Sequence, residues 1–261
     1  MIKKFSRNYA VVFAIIISMI TLWIPGIFVW DSNPILGVDK LVGDMVITIL
    51  AIFLIKNIGV WDTAGFTCKG FKKGMILGVP FIIIGVIAGV IGKIGVEWSN
   101  LKISSLLHIL LFTVNMVMIG VNEEVLMRSL ILNNLLHRYS STRKDIYRAV
   151  FISALIFGAI HIPNIFFMSP VTSIVQTVNA VAAGVLFATI YILSRNIWAG
   201  IVIHAVVDWL ALFVGQCFIG GESVLSVSMT IQQGGIMIIL GAAPPILISF
   251  YLLGRAKLQK W

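Results

Sequence analysis

The sequence predicts an all-α, polytopic membrane protein forming a single transmembrane domain over residues 1–261. Three observations carry this prediction. Charged residues make up 11% of the chain and the mean hydropathy is +1.05, whereas a soluble domain carries about 25% charged residues. The apolar residues gather into runs long enough to cross a bilayer. The lysines and arginines fall unequally on alternate loops, as they do in proteins oriented by the membrane.

Eight runs meet the length requirement or come close to it: Ala10–Trp30, Leu41–Ile58, Gly74–Val96, Leu106–Leu126, Tyr147–His161, Ile174–Ser194, Trp198–Val214 and Gly234–Leu253. The first follows Lys3, Lys4 and Arg7, as a signal peptide would, but it is longer than a signal core and no small-x-small site follows it. It is expected to be an uncleaved span. The fourth should not stop at Leu126, because "SLILNNLLHRY" continues with helix-forming residues to His137. The fifth is short and extends toward Phe167 if the chain stays apolar past Ile162. Pro163 and the pair Pro244–Pro245 should kink or end helices. In a bilayer a spanning segment must satisfy its backbone internally, which makes helices the expected element throughout.

Orientation follows from the basic residues. With eight spans, fifteen of the 19 lysines and arginines lie on one side; Lys40, Lys93 and Lys102 lie on the other, and Arg128 sits within a span. The positive-inside bias places both termini in the cytoplasm. It also accounts for the net charge of +9 through topology and anionic lipid, so no nucleic-acid partner is implied. Cys68 and Cys217 fall on opposite sides and do not pair. The expected partners are the bilayer and a membrane-associated peptide or lipid-anchored protein; the expected location is a bacterial plasma membrane.

Ionisable residues at depth are the informative ones in such a chain. Those of interest are Glu123, Glu124, Arg128, His161, His204 and Asp208, with Asp44 and His108 closer to the outer ends of their spans. At 1.5 Å per residue, Glu123 lies roughly 21 Å from the cytoplasmic end of its helix, His161 roughly 20 Å along the next, and His204 and Asp208 roughly 12 to 18 Å along theirs. Groups on three helices thus reach similar depths. Glu124 and Arg128 stand four residues apart and share a helix face, so they should neutralise each other. Glu123 is rotated about 100° away and should face a different neighbour. His204 and Asp208 are also four residues apart.

A carboxylate kept from bulk water can act as a general base near neutral pH. A histidine can share the activated water, and a second can stabilise a developing oxyanion. Glu123, His161 and His204 would equally make a three-ligand set for zinc; spacing alone does not choose.

"EEVLMR" (Glu123–Arg128), "FGAIH" (Phe157–His161) and "HAVVD" (His204–Asp208) resemble the three motifs EExxxR, FxxxH and HxxxN/D of the CPBP family of intramembrane proteases, related to type II CAAX prenyl endopeptidases and to bacteriocin-processing and immunity proteins. The motif-bearing core is 105–215. The resemblance implies an eight-helix fold and peptide-bond hydrolysis within the membrane. It implies that Glu123 and His161 activate water, that His204 and Asp208 form an oxyanion site, and that Glu124 and Arg128 brace them. The family is labelled metalloprotease, yet a glutamate mechanism without metal fits the same residues. Asp208 stands where better-studied eukaryotic relatives carry Asn; an ionised carboxylate cannot donate to an oxyanion, so Asp208 is expected either to be protonated or to orient His204.

Plainer readings stand beside these. Glu124–Arg128 serves equally as a structural clamp. His108 reads as structural, His137 as a helix-end residue suited to the dipole, and Asp44 as exposed at the interface. The tryptophans form interfacial belts, with Trp209 deep enough to wall the site. No HExxH or GxSxG is present. A non-catalytic immunity or regulatory partner using the same fold is the alternative to a protease, and a proton-coupled transporter is a third reading.

Overall fold

A computed structural model describes residues 1–28, 37–91, 97–221, 228–256 and 261. Trp30 of the expected aromatic belt, and Lys93, Lys257 and Lys260 of the orientation count, lie outside these residues. A helix stands in the place of each apolar run. The short basic α1 (Ile2–Asn8) meets α2 (Ala10–Phe28) at 114°. The helix α3 (Val38–Ile58) ends at Gly59, whose φ of 74° is left-handed and whose N–H bonds the carbonyls of Ile55 and Lys56, a glycine C-cap. Next comes α4 (Phe71–Ile91), with Pro80 inside it.

The fourth run becomes a 33-residue rod: α5 (Leu106–Glu124), a π-helical stretch Val125–Leu132, and α6 (Asn133–Arg138). The helix α7 (Arg143–Ala159) opens with a capping box between Thr142 and Asp145 and gives way to a 3-10 turn, Ile162–Phe166, with Pro163 in its first turn. The remaining helices are α8 (Pro170–Ser194), α9 (Trp198–Cys217) and α10 (Ile231–Arg255). The helix α10 does not end at Pro244 and Pro245 but continues through them; membrane helices tolerate proline where neighbours and local adjustment re-satisfy the freed backbone. Among the described residues six helices are long and apolar enough to cross a membrane, or seven if α1 and α2 form one bent span. An all-α membrane fold therefore holds, with one small addition. β1 (Lys102–Ile103) pairs antiparallel with β2 (Phe218–Ile219), Lys102 opposite Ile219, and joins the start of α5 to the end of α9.

In the bundle α8 packs against α7 and α10, while α9 packs against α4 and α5. Small residues set these crossings, as they do where lipid supplies no hydrophobic drive. A Cβ on Gly78 of α4 would lie 2.1 Å from Ile203 Cδ1, and one on Gly120 of α5 would lie 2.9 Å from the Ile201 carbonyl oxygen. Neither helix could approach α9 so closely with a larger residue.

The π-helical stretch is the centre of the molecule, and all eight of its residues are buried. Its polar members and their neighbours hold down the chain around them. Ser129 donates to the Ala64 carbonyl at 2.6 Å, Asn133 to that of Val60 at 2.9 Å and Asn134 to that of Ser6 at 3.0 Å. Asp44 departs from its expected interfacial exposure. It is buried, pairs with Lys40 at 2.7 Å and accepts from Asn122 Nδ2 at 2.9 Å. The long lysine stem allows the ammonium to reach inward to the carboxylate, so the acid does not need solvent.

Candidate active site

The motif residues lie on or beside the expected helices, with His161 in the turn after its helix rather than within it, and their partners differ from those expected. Glu123 and Glu124 close α5, Arg128 lies in the π-helical stretch, His161 follows α7, and His204 and Asp208 lie on α9. A π-helical stretch inside an α-helical rod is a frequent mark of functional sites, and here it begins at the residue after the two glutamates.

His204 is the hub. Its Nδ1 lies 2.9 Å from Glu124 Oε1, and its Nε2 lies 3.4 Å from Glu123 Oε2 and 3.4 Å from Asp208 Oδ2. Glu123 thus does not face a separate neighbour. Two adjacent residues of one helix reach opposite edges of one imidazole, because α9 inserts the ring between them. The orienting contact expected from Asp208 is the longer one. The Glu124 contact is within hydrogen-bonding distance, whereas 3.4 Å exceeds the usual N–H···O range. Gly200, one turn before His204, permits this approach: a Cβ there would lie 3.0 Å from Glu124 Oε2.

The three carboxylates are not equivalent. The side chain of Glu124 is 1% exposed, that of Glu123 23% and that of Asp208 32%. The sealed acid sits on Nδ1, and the two accessible acids flank Nε2. Arg128 lies 3.0 Å from Glu124 Oε1, as the i, i+4 spacing predicts. This contact is an ion pair without an aligned N–H···O bond, since none of the three guanidinium nitrogens has a hydrogen-bond partner among the described residues. Its charge instead lies 4.6 Å from the Phe157 ring centroid.

His161 is half-buried and its Nδ1 lies 2.8 Å from the Phe157 carbonyl oxygen. A carbonyl oxygen only accepts, so Nδ1 carries the proton and the Nε2 of the neutral ring is an acceptor. His161 meets the rest of the cluster through the Phe157 ring, which it touches edge-on at 5.1 Å and which in turn meets the His204 ring edge-on at 6.1 Å. Trp209 does not wall this cluster; it packs on Phe112 and Phe213, and its indole N–H donates to Thr113 at 3.2 Å.

The zinc set of Glu123, His161 and His204 meets a difficulty in this arrangement. Both nitrogens of His204 already face carboxylates, and no three His, Cys, Asp or Glu side chains among the described residues converge so as to hold a metal ion. The donor set as arranged does not fit the metal.

Sequence reasoning missed two participants. Asn122, next to Glu123, ties α5 to Asp44 of α3; an asparagine in an apolar run is the signal that was available. Gly200 was visible only as a small residue one turn from His204. No curated protein matches the chain. A family model, type II CAAX prenyl endopeptidase Rce1-like, matches residues 104–210. That stretch runs from just before α5 to just past Asp208, and it contains all three motifs. The motif-bearing core of this chain is therefore similar to the Rce1-like type II CAAX prenyl endopeptidase family.

Proposed function

We propose that the chain is an intramembrane endopeptidase that cleaves a membrane-associated peptide or lipid-anchored protein by a glutamate-activated water. The single observation that carries this reading is the chemical difference between the two imidazoles. His161 has its Nδ1 proton committed to a carbonyl and offers an acceptor. His204 has a carboxylate on each edge and is set to donate. Hydrolysis needs both kinds of group.

In this reading Glu123 takes a proton from water as its oxygen attacks the scissile carbonyl, with His161 Nε2 accepting the water's second hydrogen bond. The former carbonyl oxygen becomes an oxyanion and accepts from Nε2–H of His204, which carries a proton on both ring nitrogens as an imidazolium. The tetrahedral intermediate collapses, the C–N bond breaks, and the proton held by Glu123 passes to the leaving amine. Glu124, sealed and paired with Arg128, fixes the His204 ring by accepting from Nδ1–H, the job an orienting acid does in other hydrolases. Asp208 flanks the donor edge and shapes where the oxyanion can sit. The reaction takes the metal-free form. Eight spans with both termini in the cytoplasm, in a bacterial plasma membrane, complete the proposal.

The test uses protein reconstituted in liposomes and a quenched-fluorescent peptide ending in a farnesylated CAAX sequence, together with the membrane peptidome of producing cells. Glu123→Gln and His161→Ala should each abolish cleavage while the protein still inserts and keeps its thermal transition. Full cleavage by either variant overturns the mechanism. Protection of cells from a toxin that survives Glu123→Gln, without any cleavage by the wild type, would favour the immunity role instead.

A further inference from the structure

Phe187 belongs to none of the three motifs, yet it touches two of them. It lies on α8, is buried, and presents its ring parallel to the His204 imidazole at a centroid distance of 4.9 Å and an interplanar angle of 14°. The Arg128 guanidinium lies 5.0 Å from the same ring centroid. With Phe157 at 4.6 Å, the guanidinium thus has two aromatic rings about it, and it has no hydrogen-bond partner for its nitrogens among the described residues. Phe187 is held in turn by Phe81 of α4, edge-on at 5.5 Å and 89°, and by Ile190 and Ile203 in one buried cluster.

We infer that Phe187 is a positioning residue of the proposed protease site, acting as an aromatic clamp that fixes the His204 ring plane and holds the Arg128 charge against Glu124. The inference rests on the protease reading for its catalytic consequence, though not for the contact itself. The physical reason is the absence of alternatives. The hydrogen bond to Glu124 and the longer contacts with Glu123 and Asp208 hold the His204 ring along its edges, but they leave it free to tilt about the line joining its nitrogens. A flat neighbour at stacking distance removes that freedom. For Arg128, a ring face is the available substitute for water, and such contacts strengthen when desolvated. The buttress from Phe81 also gives α4, which lies outside the matched segment, a direct part in setting the site.

The test compares Phe187→Leu and Phe187→Met, which keep apolar bulk without a ring, with Phe187→Tyr, which keeps the ring. Turnover of the farnesylated CAAX peptide should fall about tenfold in the ringless variants, with KM little changed, and recover in Phe187→Tyr. A second measurement is independent of activity. In detergent-solubilised protein labelled with 13C at histidine Cε1, His204 should resonate upfield of the other three histidines, because its ring faces another ring. His204→Gln assigns the signal, and Phe187→Leu should move it downfield. Ringless variants that retain wild-type turnover, or an unmoved His204 signal, overturn the clamp. A wild type that does not cleave the peptide overturns the protease reading for that substrate, and the resonance then decides the clamp by itself.

Discussion

Arg128→Met isolates the energetic role of the buried ion pair. Arg128 and Glu124 are 3.0 Å apart, and each side chain is 1% exposed, so solvent screening does not weaken the pair. Removing one partner of such a pair costs about 3–5 kcal/mol, because an uncompensated charge stays behind, whereas replacing both partners is far milder. Here Glu124 keeps a second contact, His204 Nδ1 at 2.9 Å, which holds the cost near the lower end, about 3 kcal/mol. Two ring contacts, to Phe157 and Phe187, are lost as well, but methionine retains favourable contact with aromatic rings. The single variant should therefore lose about 3 kcal/mol in a reversible unfolding titration in mixed micelles, and adding Glu124→Gln should restore part of that loss. The double variant should remain inactive, since an amide orients His204 less strongly than a carboxylate. A single variant as stable as the wild type, or a double variant less stable than the single, would refute the neutralisation argument.

Three further outcomes follow from named contacts. Asp44→Ala removes the acceptor of Asn122 and the partner of Lys40; leaving buried donors unmet should lower stability by about 1–3 kcal/mol, read in the same titration, and should reduce turnover because Asn122 precedes Glu123. Gly200→Val places a branched side chain where a Cβ alone would lie 3.0 Å from Glu124 Oε2; overpacking of about 1–3 kcal/mol should accompany loss of peptide cleavage, while the exposed Gly235, whose Cβ would meet nothing within 4 Å, should accept alanine without effect on cleavage. Prolonged treatment with EDTA or phenanthroline should leave cleavage unchanged, and inhibition reversed by added zinc would restore the metal reading.

The sequence by itself determined the solvent, the element type and the inventory of chemistry. A bilayer leaves the backbone few choices, so apolar runs translate directly into helices, and ionisable residues at depth stand out because the surroundings supply few others. The continuation of the fourth run to Arg138 and the Glu124–Arg128 pair are both local, set by spacing along one helix, and both were legible for that reason. What spacing could not give is which side chain of a second helix enters between them. Glu123 and Glu124 point about 100° apart on an ideal helix, so the sequence assigns them separate neighbours. Only the close approach of α9, permitted by Gly120 and Gly200, puts His204 between the two and gives each carboxylate one ring nitrogen. The same holds for Asp44, whose burial depends on Asn122 from a distant helix, and for Phe187, whose ring matters only because α8 and α9 bring it parallel to an imidazole. Periodicity reports the face a residue occupies on its own helix; the partner on that face is decided by how closely two backbones can pack.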